Sequence, residues 1–484
     1  TMTNDDILYI NGIDGDTGTY LVEPMACARA AKYARREPHD TPVIRLLKAL
    51  WQIIGQPHLG MPDGVHADDV TEAGWAVVFH EDEDPAVRDV LATLVEHRLK
   101  QVGDEKRVKV LAYDGTQDAT EWLASHGVAR GNQRPWRVPY YLLLVGSPER
   151  IPFEFGRLLD AEYAVGRLHF DVVSQYDNYV ASLIDYETSQ AVPNSKEAVY
   201  FATRHKFDRA TRLSSAQLVD PLADGTPVQD EEPAQPAVST SLGFRTRKFR
   251  GVAATKSALT DILAPPAGTK PPAFLFTATH GVGYTVPRPD RRVTYGALVC
   301  QDWSGIGDWT PDHYFTAADL PDNTRVHGVI GFHFACFGAG TPSHDQFLYV
   351  KGQAPPVISD KPFIAALPKT LLSHPQGGAL AIIGHVERAY GYSFTSRETG
   401  PQLIPFQNAI KRILKGKPVG YAMKDFNERY ALLSTDLSEL LTDIHYGAQV
   451  SDKELTRQWT ERNDAGGYAI IGDPAVRLRV QDLT

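Results

Sequence analysis

Eight short, nearly continuous apolar runs punctuate the chain: WAVVF (75–79), VKVLAY (108–113), YYLLLVG (140–146), AVYFAT (198–203), AFLFTAT (273–279), VIGFHFA (329–335), ALAIIGHV (379–386) and YAIIG (468–472). Unbroken runs of this length, rather than strict alternation, mark strands covered on both faces. Helical spacing lies between several of them. DPAVRDVLATLVEHRLKQV (84–102) repeats apolar residues at helical intervals, with Asp84 placed to cap the helix and Pro85 at its first position. LIPFQNAIKRILKG (403–416) ends in a glycine suited to a helix C-terminus. Strands alternating with helices predict a doubly wound α/β sandwich.

The same pattern predicts two subdomains. Residues 1–73 have weak periodicity and read as a peripheral segment. A first α/β unit spans 74–190, and a second, carrying the candidate chemistry, spans 197–484. Within the second, LVDPLADGTPVQDEEPAQPAVSTSLG (218–243) is acidic, rich in Pro and Ala, and without an apolar period. It reads as an exposed, mobile loop and a candidate site of self-processing.

Composition narrows the function classes. The 484 residues, 43% of them hydrophobic, suffice for a large core. A net charge of −10 with no block of like charges argues against nucleic acid as a partner. No stretch reaches 18 apolar residues without charges, so no membrane span is expected. TMTNDDILYINGIDG, at the start, has neither a basic end nor an apolar core, so no signal peptide is read. Three scattered cysteines, Cys27, Cys300 and Cys336, do not make a disulfide framework. Together these features predict a cytoplasmic protein.

Two strand ends carry the candidate chemistry. VIGFHFACFGAG (329–340) ends its apolar run in Cys336, followed at once by Phe337, Gly338, Ala339 and Gly340. Open α/β sheets bind ligands beyond the C-terminal ends of their strands, and small residues there let a substrate backbone approach the thiol. A buried cysteine alone is most often structural. AFLFTATHGVG (273–283), however, ends in His280-Gly281, 56 positions before Cys336. On neighbouring strands the two side chains would project from one sheet edge, the arrangement of a thiol nucleophile beside its base. The N–H groups of Gly281 and Cys336 could then receive an oxyanion. Other candidates are weaker. His205 also follows a strand, but no cysteine-bearing strand is its obvious neighbour. His333 alternates with phenylalanines inside its strand, Cys300 lacks a small-residue turn, and Cys27 lies in a helical stretch. No CxxC pair, HExxH or EF-hand loop appears, so no metal site is expected, and QDWSGIGDWTPDH (301–313) reads as a loop rather than a calcium site.

The order His then Cys is opposite to that of papain-like enzymes. It matches the caspase type, with His roughly 50 residues before an Ala-Cys-x-Gly turn, here Ala335-Cys336-Phe337-Gly338. With YYLLLVGSPERIPFEF (140–155), YAVGRL (163–168) and GYAIIGDPAVRLR (467–479) around it, the chain over about 74–480 resembles the clan CD cysteine peptidases. That group comprises caspases, separases, CHAT domains and gingipains, and the chain most resembles the gingipain-type branch. Phe337 departs from it, standing where many relatives place a small or polar residue. The export signal and C-terminal modules of secreted gingipains are not seen.

The resemblance implies a caspase-like fold and an endopeptidase, working through His280 and Cys336 without a cofactor, on protein or peptide substrates. It also implies cleavage after Arg or Lys, with an acid in the primary pocket. Asp160, in LLDAEYAVGRL, is the best position match, and Glu162 is next. Tyr390 and Tyr392, in ERAYGY (387–392), fall where relatives build a pocket wall, though each could equally be packing. Two other readings stay open. One is a regulatory scaffold with a vestigial Cys–His pair. The other is a peptidase held inactive until a cut or an activating protein partner releases it, in a bacterial stress or defence system.

Overall fold

The computed structural model describes residues 7–37, 48, 60–227, 233–305, 309–348, 353–396, 400–401 and 403–484. Ten strands form its central sheet: β1 (Trp75–His80), β2 (Val108–Tyr113), β3 (Tyr141–Val145), β4 (Ala164–Leu168), β5 (Ser195–Ala202), β6 (Arg245–Arg250), β7 (Pro272–Ala278), β8 (Ile330–Phe334), β9 (Ala381–His385) and β10 (Tyr468–Gly472). Their order across the sheet is β2-β1-β3-β4-β10-β9-β8-β7-β5-β6. Every neighbouring pair is parallel except β9–β10. Two five-stranded parallel blocks therefore run in opposite directions within one continuous sheet. The molecule is an α/β sandwich, its eight inner strands almost wholly buried and its two edge strands, β2 and β6, partly exposed.

All eight apolar runs became strands. β4 and β6 lack such runs for identifiable reasons. Gly166 and Arg167 interrupt β4, where the Arg167 guanidinium is buried against the Ile151 and Pro152 carbonyls and over the Phe153 ring. RTRKFR in β6 sits at the sheet edge, half exposed, and edge strands tolerate charge.

The helices that matter below are α1 (Pro85–Val102), α2 (Phe153–Asp160), α3 (Val173–Thr188), α4 (Arg209–Leu213), α5 (Ile404–Leu414), α6 (Lys424–His445) and α7 (Asp452–Ala465). α1 starts as its sequence predicts: Asp84 accepts from the Ala86 N–H at 2.9 Å, Pro85 occupies the first turn, and Gly103 ends the helix in the left-handed region. Among the described residues no helix is long and apolar enough to cross a membrane.

Two expectations are corrected here. The segment 1–73 is not peripheral over its described part. Ile7–Leu8 pairs with Met25–Ala26, and Ile13–Asp14 pairs in parallel with Val282–Gly283, just beyond β7. Leu8, Ile10, Ile13 and Met25 are buried. This strap is held by backbone pairing and glycine close approach rather than by an amphipathic face, so it leaves no period in the sequence. The stretch 218–243 is not an exposed loop throughout. Asp220–Asp224 and Val238–Ser241 are helical, and Leu218, Val219, Leu222, Ala223 and Ser239 are buried. Leu218, Val219, Leu222 and Ala223 supply one helical face, which the prolines and acids around them obscured. Residues 228–232, within the expected loop, lie outside the described residues.

Candidate active site

β7 and β8 pair with Ala278 opposite Phe334. His280 and Cys336 each lie two residues past that pair, so the register alone brings them side by side. The chain can turn so tightly after β8 because Phe337 adopts φ +58°, and Glu387, after the neighbouring β9, adopts φ +71°. Both are uncommon for residues with a side chain. The two turns lock together through Phe337 N–H to Glu387 O at 2.6 Å and Ala339 N–H to His385 O at 3.0 Å. Gly281 is required by close approach: a Cβ there would lie 1.9 Å from the Cys336 carbonyl oxygen.

The thiol has no solvent exposure. Its Sγ accepts from the Ala389 N–H at 3.2 Å and donates to the Asn11 carbonyl at 2.8 Å. Burial pushes the thiol up to about 12, against the opposing pull of the Ala389 N–H and the Arg388 charge. In this closed form the group is a neutral thiol.

His280 is equally buried, edge-on to Tyr20 and Trp303. Its Nδ1 accepts from the Gly12 N–H at 2.9 Å, and its Nε2 lies 2.8 Å from Asp208 Oδ2. This bonding assigns the proton to Nε2 and leaves Nδ1 as the unprotonated nitrogen, covered here by the Gly12 N–H. Asp208, between β5 and α4, is itself saturated with donors. Tyr20 Oη gives to Oδ1 at 2.8 Å, and the Thr211 N–H and hydroxyl give to Oδ2 at 2.9 and 2.5 Å. Burial alone would raise its carboxyl; His280 and the Thr211 donors more than offset that and hold it well below the usual carboxylate range. Asp208 is the residue that sequence reasoning missed. The signal was present: an acid six residues past β5, the strand beside β7, and capping α4. It becomes readable only once the strand order is known.

The expected pocket residues lie at the same sheet edge, because the N-terminal ends of β4 and β10 meet the C-terminal end of β9. Asp160 ends α2 and lines a small cavity of about 30 Å³ with Arg157, Arg167, Phe347, Val386 and Tyr468. Its carboxylate accepts from the Val165 N–H at 3.0 Å, and burial pushes it well above the usual range. Glu162 is paired with Arg130 at 2.8 Å and with the Gly131 N–H, away from this cavity's lining. Tyr390 is fully buried, its ring against Phe347 and Trp459, while its N–H donates to Asp464 Oδ1. The side chain of Tyr392 is not described. A buried ionic cluster, Arg388 with Asp345 at 2.7 Å and Glu387 at 2.9 Å, underlies the loop that carries Ala389 to the sulfur.

The other candidates do not touch the thiol. Cys300 is buried, its Sγ 3.5 Å from the Leu298 carbonyl, and Cys27 lies buried at the start of a helix. Burial pulls His333 down to about 4; it does the same to His205, whose ring meets Trp303 edge-on beside His280.

No protein-family model and no curated protein matches the chain. Among solved structures it is similar to one described only as a protease, with 12% identity and a TM-score of 0.45 over 83% of this chain and 78% of that one. It is similar to the Arg-specific cysteine proteinase gingipain R at 13% identity and a TM-score of 0.45, over 84% of this chain and 79% of that one. A chain of a Saccharomyces cerevisiae separase–securin complex matches 69% of this chain with 15% of its own length, at 9% identity and a TM-score of 0.29. At this level of likeness the chemistry has to be read from the side chains themselves.

Proposed function

We propose that the chain is a caspase-like cysteine endopeptidase in which Asp208, His280 and Cys336 act as one unit. The observation that carries this reading is the continuous line from Asp208 Oδ2 through the imidazole to a backbone amide that also touches Sγ. Asp208 fixes the tautomer in which Nδ1 carries no proton, so that it can take the thiol proton once the Gly12 N–H has withdrawn. Cys336 attacks the peptide carbonyl, the imidazolium returns its proton to the departing amine, and water then hydrolyses the thioester. The N–H of Gly281, which lies against Sγ, and that of Cys336 are placed to receive the oxyanion. No cofactor enters these steps.

Preference for Arg or Lys is part of the proposal, with Asp160 as the acid, and it carries a condition. Burial favours the protonated form of Asp160, and Arg157 and Arg167 line the same cavity. A cationic side chain would have to displace their charge to be held there.

The closed, solvent-free thiol favours the latent form of this activity over a vestigial one, because a non-catalytic scaffold has no use for a saturated Asp–His pair aimed at a backbone amide. A peptide-library cleavage profile of wild type beside Cys336→Ala, His280→Ala and Asp208→Asn tests the proposal. The alanine variants should lose cleavage while keeping the fold. Asp208→Asn should lose about 10²–10⁴-fold. Unchanged turnover in either alanine variant refutes the assignment. Cleavage after apolar or acidic residues alone removes Asp160 from the pocket and leaves the mechanism standing.

A further inference from the structure

The polypeptide that closes the site is the chain's own N-terminal strap. The Asn11–Gly12 peptide lies between the two reacting groups. The Asn11 carbonyl faces Cys336 Sγ at 2.8 Å, and the Gly12 nitrogen faces His280 Nδ1 at 2.9 Å. The sulfur thus sits beside the carbonyl it would attack and the imidazole beside the nitrogen that would leave, the two neighbours a cut at this bond requires; in the closed form the thiol donates to the carbonyl oxygen and the Gly12 N–H donates to Nδ1.

The chain on either side is held as an extended substrate would be. Upstream, the Asn11 N–H donates to the Ala389 carbonyl at 3.2 Å; downstream, the Ile13 N–H donates to the Gly281 carbonyl at 3.0 Å, and Ile13–Asp14 pairs with Val282–Gly283. Asp14 pins the following turn by accepting from the Asp16, Thr17 and Thr285 N–H groups. Gly12 has φ +126°, a backbone conformation that strains any residue with a side chain, and a Cβ there would lie 2.9 Å from Leu21 Cδ1 and 3.4 Å from Sγ. The Asn11 side chain is buried, and neither its Oδ1 nor its Nδ2 has a protein partner. A structural strap would ordinarily satisfy such an amide or replace it with an apolar residue.

The geometry points to Asn11–Gly12 as a self-cleavage site, cut in cis by Cys336. This rests on the reading of Asp208, His280 and Cys336 as a peptidase unit. The Gly12 N–H first lets go of His280 Nδ1 as the peptide shifts; the Sγ proton then passes to that nitrogen, and the sulfur swings from the Asn11 oxygen onto the carbonyl carbon. The C–N bond breaks as the imidazolium proton moves to the Gly12 nitrogen, leaving Gly12 as a free amine and Asn11 as a thioester. Water then releases the Asn11 carboxylate and restores the thiol. Cutting in cis does not require a matching side-chain pocket, because a bond held against the thiol reacts at a very high effective concentration. The cut therefore places no demand on Asp160. It also explains why the thiol is sealed: the occupant is the first substrate.

The test is intact-mass and N-terminal analysis of the purified full chain during incubation, for wild type, Cys336→Ala and His280→Ala. Trans cleavage of an unstructured protein is measured in parallel. Wild type is expected to convert to a chain beginning at Gly12, by first-order kinetics unchanged over a tenfold range of protein concentration. Both variants, shown to be folded by circular dichroism, should keep the bond. Trans cleavage with the strap intact throughout overturns self-cleavage and leaves the peptidase reading in place. A cut that appears equally in Cys336→Ala also overturns it, by exposing spontaneous Asn-Gly chemistry. A rate that scales with concentration overturns the cis assignment. Absence of both activities, with the wild-type chain folded, rejects the peptidase reading itself.

Discussion

Cys336 donates its proton to the Asn11 carbonyl, so closure of the strap depends on the thiol being neutral. Its folded value, about 12, lies above the ordinary 9.0 of a thiol. A group whose folded value is raised adds stability that is complete below the ordinary value and lost as pH climbs toward the folded one. The closed form should therefore hold steady up to about pH 9 and weaken between 9 and 12. Alkylation of Cys336 by iodoacetamide should be slow at pH 7–8 and rise steeply only in that upper window. Once the strap has been cut or displaced, the rise should move to lower pH. A fast, pH-independent reaction in the intact chain would show that the thiol is not sealed. The sequence made Cys336, His280 and Gly281 readable because each ends an apolar run and small residues follow. Asp208 and Asn11 were not readable. Their roles depend on contacts 72 and 325 positions away along the chain, which no local pattern encodes.

Most of the strands that could be read are buried on both faces, where burial forces an unbroken apolar run; β2 was read although it lies at an edge with Val110 exposed. β4 escaped because its arginine is buried by hydrogen bonding to carbonyls rather than excluded, and β6 because an edge needs no apolar face. One buried charge ties two helices to the end of β10 and was equally invisible. Arg98 of α1, without solvent exposure, holds Asp473 just past β10 at 2.9 Å and Glu187 of α3 at 2.8 Å. Asp473 also accepts from Trp75 Nε1 at 3.0 Å. Replacing Arg98 by Met leaves two buried carboxylates without their cation, at an expected loss of about 3–5 kcal/mol. Urea denaturation measures this. A loss below about 1 kcal/mol would mean that the carboxylates take up protons or find water, and that the network does not staple β10 in place.

Across the whole molecule, the arrangement that matters is the antiparallel junction between β9 and β10. By reversing direction there, the sheet sets the N-terminal ends of β4 and β10 beside the C-terminal ends of β7, β8 and β9. Residues from both halves of the chain therefore meet at one edge, and the strap from the N-terminus crosses it. The α/β layering was legible from the alternation of runs; the strand order and the strap were not, since both are set by pairing over long separations. The central claim is that, of three buried cysteines, Cys336 alone is the nucleophile. An electrophilic peptide probe that forms a stable thioether with an attacking cysteine, mapped by tryptic mass spectrometry, tests it most directly. The account predicts label on Cys336, lost when His280 is replaced by Ala. Label on Cys27 or Cys300, or an unlabelled Cys336 in a preparation that hydrolyses peptides, would contradict it.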